Sequence, residues 1–220
     1  VLYTSDPDTV FDLFVAPVDG SASPRKLNPP LAAVLLSARL SPDGTRALFV
    51  AAQAFPAGYE LFVAPLDGSA PALSLSGPLP FGRVIWDFAA SPDGLTVVYR
   101  ADQDTDDLVE LYSVPIDASA PAQKLNESLA TGAQVQRFEF RPDSSEVVYL
   151  ASGLLMLVPS AGSSLARRIG RGSVRDDFQF SPDGSWILFR GDPERSQQFE
   201  LFATFLAPTL RRAAPPAPLH

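Results

Sequence analysis

Short apolar runs recur along the chain, each introduced by nearly the same polar turn. ALFVAA (47–52), TVVYR (96–100), EVVYL (146–150) and WILF (186–189) follow SPDG at 41–44, 91–94 and 181–184, and the variant RPDS at 141–144. The turn residues are the expected ones: Pro presets φ, Asp bonds its own backbone and Gly accepts positive φ. Ser144 replaces that glycine, which predicts strain or a changed turn type in one copy. The runs following the turns are apolar almost throughout rather than alternating, so each predicts a strand buried on both faces.

A second marker shares the period. DLFVAPVDGSA from Asp12, ELFVAPLDGSA from Glu60 and ELYSVPIDASA from Glu110 repeat one pattern, LLMLVPSAGSS from Leu154 keeps it without the acid, and ELFATFLAP starts at Glu200. The best-defined unit parses into four strands: a (84–90), b (96–100), c (110–116) and d (122–126). β-Branched and aromatic residues fill these runs, while Gly, Pro, Asp and Ser fill the gaps.

A four-stranded sheet covered on both faces and repeated every 40 to 50 residues needs like neighbours on each side, and radial stacking supplies them. The fold class expected is therefore all-β, a β-propeller of four-stranded antiparallel blades. A β-sandwich also uses short strands, but gives no reason for a fixed repeat. Blades are expected at about 1–30 (partial), 31–79, 80–130, 131–171 and 172–212, followed by a proline-rich tail at 213–220. The first unit has no inner strand and the chain opens on VLYTS without an initiator methionine, so the expectation is about five blades that form part of a ring of six to eight, with a five-bladed closure containing one defective blade as the alternative. The fourth blade, which lacks the acid at Leu154, is expected to be the least regular.

The strings SPDGTRALF and YELFVAPLDGSAPALSL, with their copies, resemble the WD40-like repeat called PD40, found in the TolB family propeller. The resemblance covers about residues 1–210. It implies a periplasmic or secreted bacterial protein with a scaffolding role, in which a protein, peptide or cell-envelope component docks on one mouth of the ring. Similar repeats form the gating propeller of prolyl-oligopeptidase-like enzymes, which keeps an enzyme part as the alternative.

Composition narrows the chemistry. Seventeen basic and 25 acidic residues leave a net charge of −8, which repels nucleic acid. There is no cysteine and one histidine, His220, which excludes thiolate metal sites, cysteine nucleophiles and an internal serine–histidine triad. The chain is therefore expected to be no enzyme. No apolar run is long enough for a membrane helix.

Alignment of the inner strands on Ser41, Ser91, Arg141 and Ser181 places Ser37, Asp87, Arg137 and Asp177 at one position and Arg39, Ala89, Glu139 and Gln179 two residues on. Polar side chains thus recur nearest the axis. Arg39, Asp87, Arg137, Glu139 and Asp177 are the candidate partner-binding residues; the plainer reading is a wet channel of mutually paired charges. If Asp87, Glu139 and Asp177 converged as unpaired carboxyls, a glycoside hydrolase would follow.

Asp102, Asp104 and Asp106 alternate in one hairpin, where oxygen ligands can wrap a hard cation such as calcium. A solvated acidic loop explains them equally. The acid before Leu-Phe or Leu-Tyr (Asp12, Glu60, Glu110, Glu200) is expected to bind a neighbouring blade, or Arg100 or Arg190.

Overall fold

A computed structural model of the chain describes residues 1–5, 12–29, 35–52, 58–170, 172–192 and 199–207. These form five antiparallel sheets, with no helix among the described residues. The first holds β1 (Leu2–Ser5), β2 (Asp12–Val15) and β3 (Arg25–Lys26). The second holds β4 (Ser37–Leu40), β5 (Arg46–Ala51), β6 (Glu60–Pro65) and β7 (Leu73–Ser74), paired in chain order. The third is β8 (Ile85–Ala90), β9 (Thr96–Ala101), β10 (Glu110–Pro115) and β11 (Gln123–Lys124), and the fourth is β12 (Val135–Phe140), β13 (Glu146–Ala151), β14 (Leu154–Pro159) and β15 (Arg167–Arg168). The fifth holds β16 (Ser173–Val174), β17 (Gln179–Phe180), β18 (Trp186–Asp192) and β19 (Glu200–Phe205). The predicted outer strand at 208–212 and the tail lie outside the described residues.

Each core lies between consecutive sheets. Leu13 and Leu27 of the first pack with Phe49 and Phe62 of the second. Leu48, Val50 and Leu61 on the opposite face of the second pack with Phe88, Tyr99 and Tyr112 of the third. Val98 and Leu111 then meet Val147 and Tyr149, and Leu150 and Leu155 meet Phe178 and Phe189. One strand therefore sends alternate residues into two cores, which is why the b strands read as unbroken apolar runs. This sequential stacking of four-stranded sheets is the β-propeller arrangement.

The turn builds itself from side chains. Ser41 Oγ accepts the N–H of Arg46 at 3.0 Å, Asp43 Oδ1 accepts that of Thr45 at 3.1 Å, and Gly44 takes φ +67°. Ser91 and Asp93, and Ser181 and Asp183, repeat the set. The turn at Ser144 keeps the same type, with Ser144 N donating to Arg141 O at 2.9 Å, and the serine takes φ +65°. Strain, rather than a changed turn, is the outcome.

The repeated acid is tied within its own blade, which corrects the expectation of an interblade partner. Asp12 meets Lys26 Nζ at 2.6 Å, Glu60 accepts Ser74 Oγ–H at 2.7 Å, and Glu110 meets Lys124 Nζ at 2.8 Å. Strands c and d are antiparallel neighbours, so a residue fourteen positions on returns beside the acid. For Glu200 the corresponding outer-strand partner lies outside the described residues.

The fourth blade has four full strands, so it is not the least regular. Among the sheets with four described strands, the irregular one is the fifth, whose inner strand is split into β16 and β17, both paired with β18. The step from Val174 to Gln179 lies opposite that from Gly191 to Leu188, leaving two surplus residues, whereas Ile85 to Ala89 opposite Ala101 to Val98 leaves one. RDD at 175–177 offers no apolar side chain to hold a continuous strand there.

Candidate functional site

The inner strands β4, β8 and β12 lie side by side and carry the predicted polar residues. Register fixes which way each points. Phe88, Phe138 and Phe178 turn into the interblade cores, and the side chains before and after each point to the opposite face of the strand. Arg39 crosses from the second blade to the third, where its Nη2 meets Asp87 Oδ1 at 3.0 Å and its Nη1 donates to the carbonyl of Phe88. The guanidinium lies 5.0 Å from the Phe88 ring centre. Arg137 likewise crosses from the fourth blade to the fifth, donates to Asp176 O, and sits 4.6 Å from the Phe178 ring centre.

The three candidate carboxylates are each paired. Asp87 takes Arg39, Glu139 takes Arg137 Nη2 at 3.3 Å, and Asp177 takes Arg190 Nε. Glu139 also accepts Phe180 N–H at 3.4 Å. Burial lifts the Glu139 carboxyl above its ordinary value, opposed by that N–H and by Arg137. Asp87 and Arg39 border one open groove of about 490 Å³, which Pro42, Pro92, Ala89, Phe138, Glu139 and Phe140 also line. The groove thus combines apolar walls with both signs of charge at the turn end of the inner strands. Three of the predicted residues, Arg39, Asp87 and Glu139, line this groove; Arg137 joins it through Glu139 and reaches the fifth blade at Asp176, and Asp177 pairs with Arg190.

Arg100 and Arg190 occupy equivalent places at the ends of the b runs, but not the role first expected of them. Arg100 Nη1 donates to Val135 O at 3.0 Å and to Gln136 O in the next blade. Burial lowers its pKa, countered by Asp87. Their recurrence after TVVY and WILF was the available signal. Also unanticipated was the Lys-Leu-Asn string at 26–28 and 124–126, in which Asn28 and Asn126 accept the N–H of Leu13 and Leu111 at 2.6 and 2.7 Å.

The acidic hairpin is divided. Carboxylate oxygens of Asp102, Asp106 and Asp107 lie within 4.8 Å of one another, while Asp104 turns away to Lys124 Nζ at 2.9 Å. Asp102 Oδ1 accepts Val84 N–H at 2.7 Å and Asp106 pairs with Arg83 at 2.9 Å. Internal partners thus account for Asp102, Asp104 and Asp106, and the cluster carries no metal assignment.

No family model and no curated protein matches the chain. Solved structures do match, β-propeller domains among them. A putative TolB from Agrobacterium tumefaciens is 19% identical with a TM-score of 0.53, the match covering 88% of this chain and 74% of that one. The β-propeller domain of the Trilobed protease from Pyrococcus furiosus, described as having an open velcro topology, is 12% identical with a TM-score of 0.56, covering 93% and 64%. Puromycin hydrolase is 19% identical with a TM-score of 0.55, and the chain, matched over 88% of its own length, spans 31% of that enzyme. At these identities the likeness establishes the fold.

Proposed function

We propose that the chain is a non-enzymatic propeller scaffold, TolB-like in kind, that binds a protein, peptide or cell-envelope component at the groove bordered by Arg39, Asp87 and Glu139, in a periplasmic or secreted setting. The observation that carries this reading is the pairing of every candidate carboxylate with an arginine: Asp87 with Arg39, Glu139 with Arg137, Asp177 with Arg190. A glycosidase needs one carboxylic acid and one free carboxylate acting on the same bond. Paired charges flanking apolar walls instead suit recognition of a polar, partly apolar surface, with the charges setting register and specificity. The net charge of −8 disfavours nucleic acid as the partner.

The likeness to peptidase propellers supports a second reading, in which the same groove gates access to a hydrolase domain. The two are separated by experiment. Immobilised protein is presented with envelope extract, alongside an Arg39→Glu, Glu139→Arg variant of unchanged melting temperature. The scaffold reading expects a partner retained by the parent and lost by the variant, and no hydrolysis of aryl glycosides. Retention by both proteins, or glycoside turnover abolished by Glu139→Gln, overturns it. Sequence of the full gene encoding a hydrolase domain favours the gating reading.

A further inference from the structure

Five Asp-Gly steps occur in the chain, and they fall into two kinds. Asp43-Gly44, Asp93-Gly94 and Asp183-Gly184 stand in turns that join strands a and b, whereas Asp19-Gly20 and Asp67-Gly68 stand in turns that join c and d. Backbone shape does not separate the kinds, since all five glycines take φ between +67° and +71°. Nor does access, since Asp19, Asp43 and Asp67 are alike exposed. Hydrogen bonding does. In the a–b turns a serine two positions earlier donates its hydroxyl to the aspartate, Ser41 to Asp43, Ser91 to Asp93 and Ser181 to Asp183, at 2.5–2.6 Å. The c–d turns have Pro17 and Pro65 at that place, with no hydroxyl to give. The glycine amides differ in step: Gly44, Gly94 and Gly184 donate to a backbone carbonyl at 2.8–2.9 Å, but Gly20 and Gly68 at 3.3 and 3.2 Å, the long end of the range for such bonds. Carboxyl and amide are thus both held in one kind of turn and both looser in the other.

We propose that Asp19-Gly20 is a site of spontaneous isoaspartate formation, with Asp67-Gly68 a slower second, and that the serine of the a–b turns protects the other three steps. Gly20 N loses its proton and bonds to Asp19 Cγ while the carboxyl gives up a hydroxyl, so that water leaves and a cyclic imide forms. Water then adds to the imide carbonyl that belonged to the backbone, the old peptide C–N bond breaks, and the chain continues through the former side chain. One water is lost and one regained, with no oxidant or reductant. Glycine favours the attack because no Cβ crowds its nitrogen. The neutral carboxyl is the electrophile, so the bonds from Ser41 and Thr45 protect Asp43 twice, by fixing the group and by keeping it charged, at about 2. Asp19 lacks the serine and is lowered chiefly by the Ser21 N–H at 3.0 Å. At Asp67 the charge of Arg25 adds to the lowering, and Arg25 stands 2.8 Å from where a Gly68 Cβ would lie, whereas nothing lies within 4 Å of that point at Gly20. Asp117 supplies an internal control, because its turn has the same Ser119 N–H bond at 3.0 Å and positive φ at the next residue, which is Ala118.

The full chain is held in warm, mildly acidic buffer below its unfolding transition, beside a sample in urea, and each turn peptide is scored for isoaspartate by fragmentation mass spectrometry. In the folded chain isoaspartate at Asp19 is expected to accumulate about tenfold or more faster than at Asp43, Asp93 and Asp183, the factor that one hydrogen bond to a charged group is worth. In urea the five rates converge. Gly20→Ala brings Asp19 down to the rate of Asp117, and Ser41→Ala raises Asp43 toward Asp19 while Asp183, in the same molecule, stays slow and reports an intact fold. Equal rates at the five steps in the folded chain overturn the proposal. So does an Asp43 rate unmoved by Ser41→Ala, and so does a gap that persists undiminished in urea, because flanking sequence rather than the folded turn then sets the rate.

Discussion

Ser144 Oγ accepts the backbone N–H of Asp93 at 2.9 Å, so a hydroxyl standing where the repeat has glycine joins the third blade to the fourth. Its backbone pays with φ +65°, a region that a side chain disfavours by roughly 1 kcal/mol. The carbonyl of Ser144 accepts Ser160 Oγ–H at 2.6 Å, and Ser160 O accepts Ser113 Oγ–H at 2.6 Å, so the strained turn belongs to a buried chain of hydroxyls. Two substitutions separate the effects. Ser144→Ala keeps the strain and leaves Asp93 N–H without its acceptor, and is expected to destabilise by about 1–3 kcal/mol. Ser144→Gly loses the same bond but relieves the backbone, and is expected to lie about 1 kcal/mol closer to the parent. Urea unfolding midpoints check the order.

Asn126 gives a sharper case, because its carboxamide is buried and serves two strands. Oδ1 accepts Leu111 N–H at 2.7 Å, while Nδ2 donates to Glu127 O at 2.9 Å and to Glu110 at 3.3 Å. Asn126→Ala strands the N–H of a fully buried leucine and is expected to cost about 1–3 kcal/mol. Asn126→Asp keeps the acceptor for Leu111 but sets a carboxylate against Glu110, so it is expected to recover stability as pH falls through the acidic range. Unfolding at neutral and acidic pH distinguishes the two variants.

The turn aspartates set an acid limit. Hydrogen bonds from Ser41 and then Thr45 hold the Asp43 carboxyl at about 2, and Ser181 and Ser185 do the same for Asp183. A carboxyl lowered in the folded state contributes stability above its unfolded value near 3.8, and that contribution is lost as pH falls through the folded value. Stability is therefore expected to decline between about pH 4 and about pH 2. The decline should be shallower in the Ser41→Ala, Ser181→Ala double variant, whose aspartates return toward ordinary values. Glu139 works in the opposite sense: burial raises it, so its contribution is lost as pH rises past 4.5, and Glu139→Gln removes that slope. Urea titrations across the acidic range read both.

The repeat was legible because two short strings, the turn and the acid-Leu-aromatic run, occur at one spacing; β8 to β10 start and end within a residue of their expected positions. Side-chain partnerships were less so. The acid at Asp12, Glu60 and Glu110 looked like an interblade tie, since a repeated polar residue in a buried strand needs a partner somewhere. The partner proved to be the residue fourteen positions later, and the strings that supply it, Lys-Leu-Asn for Asp12 and Glu110 and Ser-Leu-Ser for Glu60, looked like ordinary outer strands. Arg39 and Asp87 belong to different blades and sit at different alignment positions, so nothing in the spacing joined them. Asp104 illustrates the converse, since alternation in sequence did not bring it to Asp102 and Asp106 once Lys124 stood nearby. The split inner strand of the fifth blade follows from surplus residues in RDD, which an apolar template does not count.

Equivalent leucines in successive blades allow burial to be tested with chemistry held constant. From the second blade on, the residue after the repeated acid, or after Leu154 in its place, is Leu61, Leu111, Leu155 and Leu201; the first three are 0% exposed and Leu201 is 71% exposed. Each of the first three lies in an interblade core, whereas Leu201 stands on the outer face of the fifth sheet, paired in register with Arg190 and flanked by Ala203 opposite Leu188. Truncating a buried leucine forfeits its transfer free energy and leaves a cavity, so Leu111→Ala and Leu155→Ala are each expected to cost about 2–5 kcal/mol. An exposed leucine has little of either to lose, and Leu201→Ala is expected within about 0.5 kcal/mol of the parent. Urea unfolding of the three variants, with m-values compared to confirm a common transition, checks the contrast. A cost for Leu201→Ala equal to that for Leu155→Ala would show that the fifth sheet's outer face is covered in solution.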